Sequence, residues 1–225
     1  MAETLPRRVP PAPPYPVLFR DNRFLVIDKP AGIAVHAGPR GGPNVEDALR
    51  PLARGRDGPW LAHRLDADTS GCLMIALRRS ALHAAQAEFV ARRVRKTYWA
   101  VVHGAPSAER GLCDARLIRE TGARGWRMAA SARGQEAVTE WRVLGRGDAI
   151  AWLELTPRTG RTHQVRAHCA AIGSPVLGDP VYGDGVGPLM LLARALSLAL
   201  SPPVSATAPV PAHMRDALIA CGWDC

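Results

Sequence analysis

Two patterns of apolar and polar positions divide this chain. Short continuous apolar runs, Phe24-Leu25-Val26-Ile27 and Gly71 to Leu77, predict strands buried on both faces. The alternating stretch from Lys96 to His103 predicts a strand with unlike faces. Val17-Leu18-Phe19 is separated from Phe24 by Arg20-Asp21-Asn22-Arg23, which predicts a hairpin. Strand-like segments follow near 112–118, 126–130, 136–144 and 149–156, and part of Leu189 to Leu200 reads as another.

Helical spacing appears in four places. Asn44 with Asp47 three residues on resembles a capping pair and starts a short helix toward Arg54. Ser80 predicts the cap of a helix over about 81–92, with Leu82, Ala85 and Phe89 on one face. Thr162 predicts the cap of a helix over 163–172, with Gly173 as its stop. Pro211 opens a last helix ending before Gly222. Strands outnumber helices and the connections are short. The expected fold is therefore α+β, with a large, mainly antiparallel sheet flanked by helices. Residues 1–16 hold six prolines and no periodicity, so a flexible leader is expected there, ahead of one domain over 17–225.

Charge narrows the choice of partner. The chain carries 29 Lys+Arg against 20 Asp+Glu, a formal charge of +9. Its lysines are Lys29 and Lys96, and every other basic residue of that count is arginine. Guanidinium forks match phosphates and guanine edges in two-point contacts, which favours a nucleic acid. A GC-rich coding sequence would also enrich arginine, but the charge would still call for an anionic partner. Aromatic residues make up only 5% and are scattered, which argues against an open stacking platform for single strands. Cys72, Cys113, Cys169, Cys221 and Cys225 are dispersed and include no CxxC pair, and no apolar signal segment opens the chain. A reduced, cytoplasmic protein is expected.

Four blocks carry candidate chemistry. In His63-Arg64-Leu65-Asp66-Ala67-Asp68-Thr69-Ser70-Gly71 a carboxylate stands beside cationic side chains and ahead of a turn. Asp66 there is either a nucleophile or base held ionised by its neighbours, or a turn residue bonding its own backbone. Asp66 and Asp68 form a D-x-D, but no further carboxylates cluster to hold a metal, and none is expected. In Lys96-Thr97-Tyr98-Trp99-Ala100, Lys96 and Tyr98 share a strand face, so the phenol either meets a base or packs in the core. Arg158-Thr159-Gly160-Arg161-Thr162-His163-Gln164-Val165-Arg166-Ala167-His168 sets basic groups at a strand-to-helix junction, either an anion site or a solvated turn. Gly173 to Gly183 is dense in turn formers and implies a loop of fixed shape.

In this order the four blocks resemble the HRLDxxTSG, KxYxAxVxG, GRTHQxRxH and GxPxxGDxxYG motifs of the RluA-type RNA pseudouridine synthases. Phe24 to Gly32 resembles the family's opening strand and KPAG turn, so the likeness spans about residues 17–200. It implies the pseudouridine synthase fold without an added S4-like RNA-binding domain, and a reaction that needs neither cofactor nor metal. Asp66 would be the catalytic aspartate, Tyr98 the tyrosine at the target uracil, and Arg161 the arginine that pairs with Asp66. Arg64 would fill the gap left by a flipped base. His63, Lys96, Arg158, Thr162, His163, Gln164 and Arg166 would contact RNA. Cys72 and Leu192 depart from common family residues without removing a catalytic group. The implied partner is a stem-loop of tRNA or rRNA bound by a monomer, with the basic segment Arg116 to Arg133 as one contact surface. The alternative is a non-catalytic RNA-binding or RNA-folding protein on the same fold.

Overall fold

The two continuous apolar runs lie side by side, antiparallel, as the second and third strands from one edge of a ten-stranded sheet. The computed structural model describes residues 12–38, 41–53, 58–122 and 125–224. Its first half runs β1 (Val17–Arg20), β2 (Phe24–Lys29), α1 (Val45–Leu49) with a 3-10 turn over Arg50–Leu52, β3 (Trp60–Leu61), β4 (Ser70–Ala76), α2 (Arg79–Val90) and β5 (Arg95–His103). Then come β6 (Arg110–Cys113), β7 (Leu117–Gly122), β8 (Gly125–Ala130), β9 (Thr139–Arg146) and β10 (Ile150–Pro157). The chain closes with α3 (Gln164–Ala171), β11 (Leu191–Leu198), β12 (Val204–Thr207) and α4 (Ala212–Ala220).

The main sheet has the order β1-β2-β4-β11-β5-β10-β9-β6, with β3 added on β4 and β12 on β11. Its ladders are antiparallel except for β4 with β11. Every residue of β4 is buried because both sheet faces are covered. On one face Phe24, Val26, Cys72 and Met74 pack with Ala81 and Ala85 of α2 and Met214 and Leu218 of α4. On the other, Leu25, Ile27, Leu73 and Ile75 meet Val45 and Leu49 of α1 and Leu65. Alternate residues serve opposite faces, as the two-residue period of a strand requires. Gly71 has φ +107°, and a Cβ there would sit 2.3 Å from Ala193 O. This close approach admits β11 beside β4 just after the Asp66 turn.

Several elements differ from the sequence pattern. The expected strand over 112–118 is interrupted, and β7 and β8 leave the main sheet as a two-stranded hairpin of their own. Ser80 does not cap α2, which starts at Arg79 behind Arg78 with no side-chain cap. Asn44 does cap α1, accepting the Asp47 N–H at 2.9 Å and donating to Asp47 Oδ2 at 2.7 Å. Arg54, the expected end of that helix, lies outside the described residues, as do residues 1–11 of the expected leader. The leader's described end is tied down rather than loose. Tyr15 packs against the α1-side core, and Pro16 O accepts the Asp28 N–H. No helix among the described residues is long and apolar enough to cross a membrane.

Candidate active site

Asp66 sits in the loop that leads into β4, where its carbonyl accepts the Thr69 N–H at 3.2 Å. Two side chains, Lys29 and the half-buried His63, set this loop. Lys29, at the end of β2, is fully buried, and its ammonium donates to Pro30 O, Ile33 O and Ala67 O at 2.8–2.9 Å. Burial lowers its pKa to about 8, against the opposing pull of Asp68 and Asp66. Three carbonyls replace its water shell, so the ammonium pins the residue next to Asp66. His63 Nε2 accepts the Met74 N–H of β4 at 3.0 Å, and its ring lies 5.4 Å from that of Phe89. Burial, with the Lys96 charge second, lowers the His63 pKa to about 4, so the ring is neutral near pH 7. That nitrogen is spent on β4 and is not free for the RNA contact expected of His63.

The arginine that meets Asp66 is Arg166, where sequence reading expected Arg161. Arg166 on α3 is buried; Nε and Nη2 donate to Asp179 Oδ2 and Oδ1, both at 2.7 Å, and Nη1 lies 3.4 Å from Asp66 Oδ2. Asp179 is fully buried and also accepts the Val181 and Tyr182 N–H groups. Burial opposes its ionisation, but the Arg166 guanidinium and these donors hold its carboxyl below the usual range. Arg161 instead donates Nε to Glu136 O at 2.9 Å.

The start of α3 explains the exchange. Thr162 does not cap it; His163 is the capping residue, in a left-handed conformation with φ 51° and no side-chain cap bond. Gln164 folds back instead. Its Oε1 accepts the Thr159 hydroxyl at 2.7 Å and the Arg161 N–H at 2.9 Å, while Nε2 donates to Val138 O and Thr139 Oγ1. All four bonding positions of the amide are used inside the protein, so Gln164 shapes the turn rather than reaching RNA. The turn lays the His163 ring on Trp126 (4.8 Å, 26°), with Nε2 3.9 Å from Asp66 Oδ2. Burial lowers the pKa of His163, with the Asp66 charge opposing.

All eleven site residues expected from sequence line one cavity of about 540 Å³. Lys96 and Tyr98 enter it from the same face of β5. Lys96 Nζ donates to Thr159 O at 3.2 Å, and burial lowers its pKa to about 8. Burial, then the Asp66 charge, pushes the Tyr98 phenol well above its ordinary range, so it is protonated near pH 7. Arg158 is ion-paired with Glu140, and Arg64 is exposed. The contacts of Asp66 with the Arg166 guanidinium and the His163 ring fall on Oδ2, and no hydrogen bond from the described residues reaches Oδ1. The arrangement is a carboxylate held at one oxygen by a fixed guanidinium, with the other oxygen available to a ligand. Lys29 and Asp179 were not singled out from sequence. Their signals were the lysine closing an apolar strand and the aspartate inside Gly178-Asp179-Pro180-Val181-Tyr182-Gly183.

Residues 23–171 match the family model described as RNA pseudouridylate synthase. An uncharacterized RNA pseudouridine synthase of Zymomonas mobilis is 38% identical over 210 residues, covering 89% of this chain and 95% of that protein. This chain belongs to the RNA pseudouridylate synthase family. Ribosomal large subunit pseudouridine synthase C of Vibrio cholerae is 34% identical over 218 residues, covering 90% of this chain and 68% of that enzyme. The solved structure of human RNA pseudouridylate synthase domain containing 4 superposes with a TM-score of 0.79 at 27% identity, covering 93% of this chain and 94% of that one. The expected α+β synthase fold is thus the observed one, and the chain is an RNA pseudouridine synthase, an isomerase. The departures leave this fold intact: Cys72 and Leu192 are both buried in the sheet core.

Proposed function

We propose that this synthase isomerises uridines in structured RNA, with Asp66 as the carboxylate that acts on the ribose of a flipped-out nucleotide. The observation that carries this reading is the Arg166–Asp66 contact in a cationic cavity lined also by Tyr98 and Lys96. The target base leaves its stack at a cost of a few kcal/mol, less in a loop, and Arg64 takes its place. Asp66 then either attacks C1′, to be displaced when C5 bonds to that carbon, or removes the 2′ proton to give a glycal and returns it as C5 adds. In both routes the N1–C1′ bond breaks, the uracil turns within the cavity, and a C5–C1′ bond forms. The C5 proton leaves and N1 gains one, so no oxidant, reductant or metal enters the balance.

Arg166 is a positioning residue: it orients Asp66 and keeps a positive charge beside the carboxylate while the carboxylate works. Tyr98, held protonated, stacks against the uracil and relays the C5 proton. Lys96 contacts the phosphate or a uracil carbonyl, with Arg161, Thr162 and His163 along the same wall and Arg158 at its edge. Relatives named for the large ribosomal subunit make ribosomal RNA the first substrate to try, with tRNA beside it. The enzyme acts as a monomer in the cytoplasm on this reading. The test is to incubate the protein with transcribed rRNA fragments and tRNAs, then map pseudouridine by carbodiimide modification and primer extension. A single protein-dependent stop in one RNA is expected. Tight binding with no stop in any of them would favour a non-catalytic RNA-binding role.

A further inference from the structure

A second groove opens on the far side of the Gly160–Thr162 segment, between it and the β7–β8 hairpin, with a volume of about 530 Å³. Gly160, Arg161 and Thr162 line both spaces, so the groove and the Asp66 cavity share one wall. We propose that this groove is a second RNA subsite, holding the sugar–phosphate backbone of nucleotides next to the target uridine. The proposal rests on the synthase reading and extends it to how the substrate is gripped.

Positive charge gathers in this groove. Arg119, Arg133 and Arg161 line it, and none has a carboxylate within 4 Å among the described residues. Three nearby arginines are neutralised, Arg92 by Glu136, Arg127 by Glu120 and Arg158 by Glu140, while Arg116 beside the groove donates Nε to Gly134 O. Unmatched guanidinium groups gathered in a concave space suit successive phosphodiesters, and the half-buried Ile118 and Met128 side of the groove suits the sugars between them. Arg161 stands at the junction with Nε anchored on Glu136 O, which fixes the direction of its fork.

The hairpin wall is also fastened to the site. Met128 N donates to Tyr182 Oη at 2.9 Å, and Trp126 stacks on His163 while the Arg119 guanidinium lies 4.7 Å from the indole centroid. RNA held by Arg119 and Arg133 therefore bears on a hairpin that touches His163, and His163 faces Asp66.

The test compares wild type with Arg119→Ala/Arg133→Ala, using whichever transcribed rRNA fragment or tRNA wild type binds most tightly. Binding is read by filter retention across salt concentrations. Loss of two phosphate contacts should weaken binding and reduce the slope of log Kd against log salt by about 1.4. Phosphate-ethylation interference should vanish at positions flanking one uridine and persist elsewhere. Arg119→Lys/Arg133→Lys should restore the slope, and Arg215→Ala on α4 should leave it unchanged. An unchanged slope and interference pattern in the alanine pair would overturn the proposal. So would an equal effect of Arg215→Ala, or failure of the lysine pair to restore the slope. These readouts need no turnover: a reduced slope with no pseudouridine formed would keep the groove and reject the catalytic reading of Asp66.

Discussion

Arg166 and Asp179 are joined through both oxygens and two guanidinium nitrogens, each at 2.7 Å, and this pairing leaves Nη1 facing Asp66. The fork cannot rotate without breaking the bidentate bond, so Asp179 fixes the direction from which charge reaches the carboxylate. Asp179→Asn should therefore do two kinds of damage. Leaving a buried guanidinium half-paired should cost about 3–5 kcal/mol in chemical denaturation. At temperatures where the variant stays folded, product formation should still fall, with the larger effect on kcat rather than on KM. Full activity in folded Asp179→Asn would show that the aim of Arg166 is unimportant.

Tyr98 packs between two core clusters while its hydroxyl faces the cavity side, so Tyr98→Phe removes the hydroxyl with little change in packing. Stability is expected to stay close to wild type. Loss of a proton-relaying group should slow product formation by about 10²-fold or more. A variant that isomerises at the wild-type rate would leave Tyr98 only a stacking role.

Gln164→Leu keeps the bulk of the side chain but abandons four internal partners at the root of α3. Each buried group left unmatched costs about 1–3 kcal/mol, so destabilisation of about 3 kcal/mol or more is expected from urea unfolding. A near-neutral result would mean that water replaces the amide and that the turn is not held from inside.

These internal bonds also mark where the sequence stops being legible. The apolar runs of β2 and β4 announce their burial because every residue in them is nonpolar or small, and Asn44 announces its helix through local spacing. Arg161 and Arg166 are indistinguishable as cations in one motif. Which of them faces Asp66 depends on the left-handed turn at His163, and that turn is held by Gln164 reaching Val138 and Thr139, 25 or more positions away at the start of β9. Asp179 reads as a turn former, since its partner lies 13 residues back and meets it only after α3 has formed. Of the β7–β8 hairpin only β8 matches a strand-like segment, near 126–130; the segment near 112–118 runs across the break between Cys113 and Leu117, where the hairpin leaves the main sheet. The strand β12, Val204–Thr207, alternates only one valine and one alanine with two hydroxyl residues and is too short to be seen.

Acid should weaken the fold through His63. Its pKa is depressed from 6.5 to about 4, so between those values the unfolded chain binds more protons than the folded one. Stability from this group is complete above pH 6.5 and is lost as pH falls toward 4. The loss is at most about 3 kcal/mol by linkage. His63→Gln has no titrating ring, so its urea midpoint should fall less steeply than wild type over this range. Parallel curves would place the acid sensitivity elsewhere, with His163 and His168, whose pKa values burial also lowers, as the next residues to replace.

The most direct measurement is tritium release from RNA labelled at uracil C5, comparing wild type with Asp66→Asn on the same transcripts. The amide keeps the shape of the side chain and removes its charge. Release by wild type alone, with the variant binding the RNA at similar affinity, is the predicted result. Release by Asp66→Asn at a rate near that of wild type would contradict the assignment of Asp66 as the carboxylate that acts on the ribose.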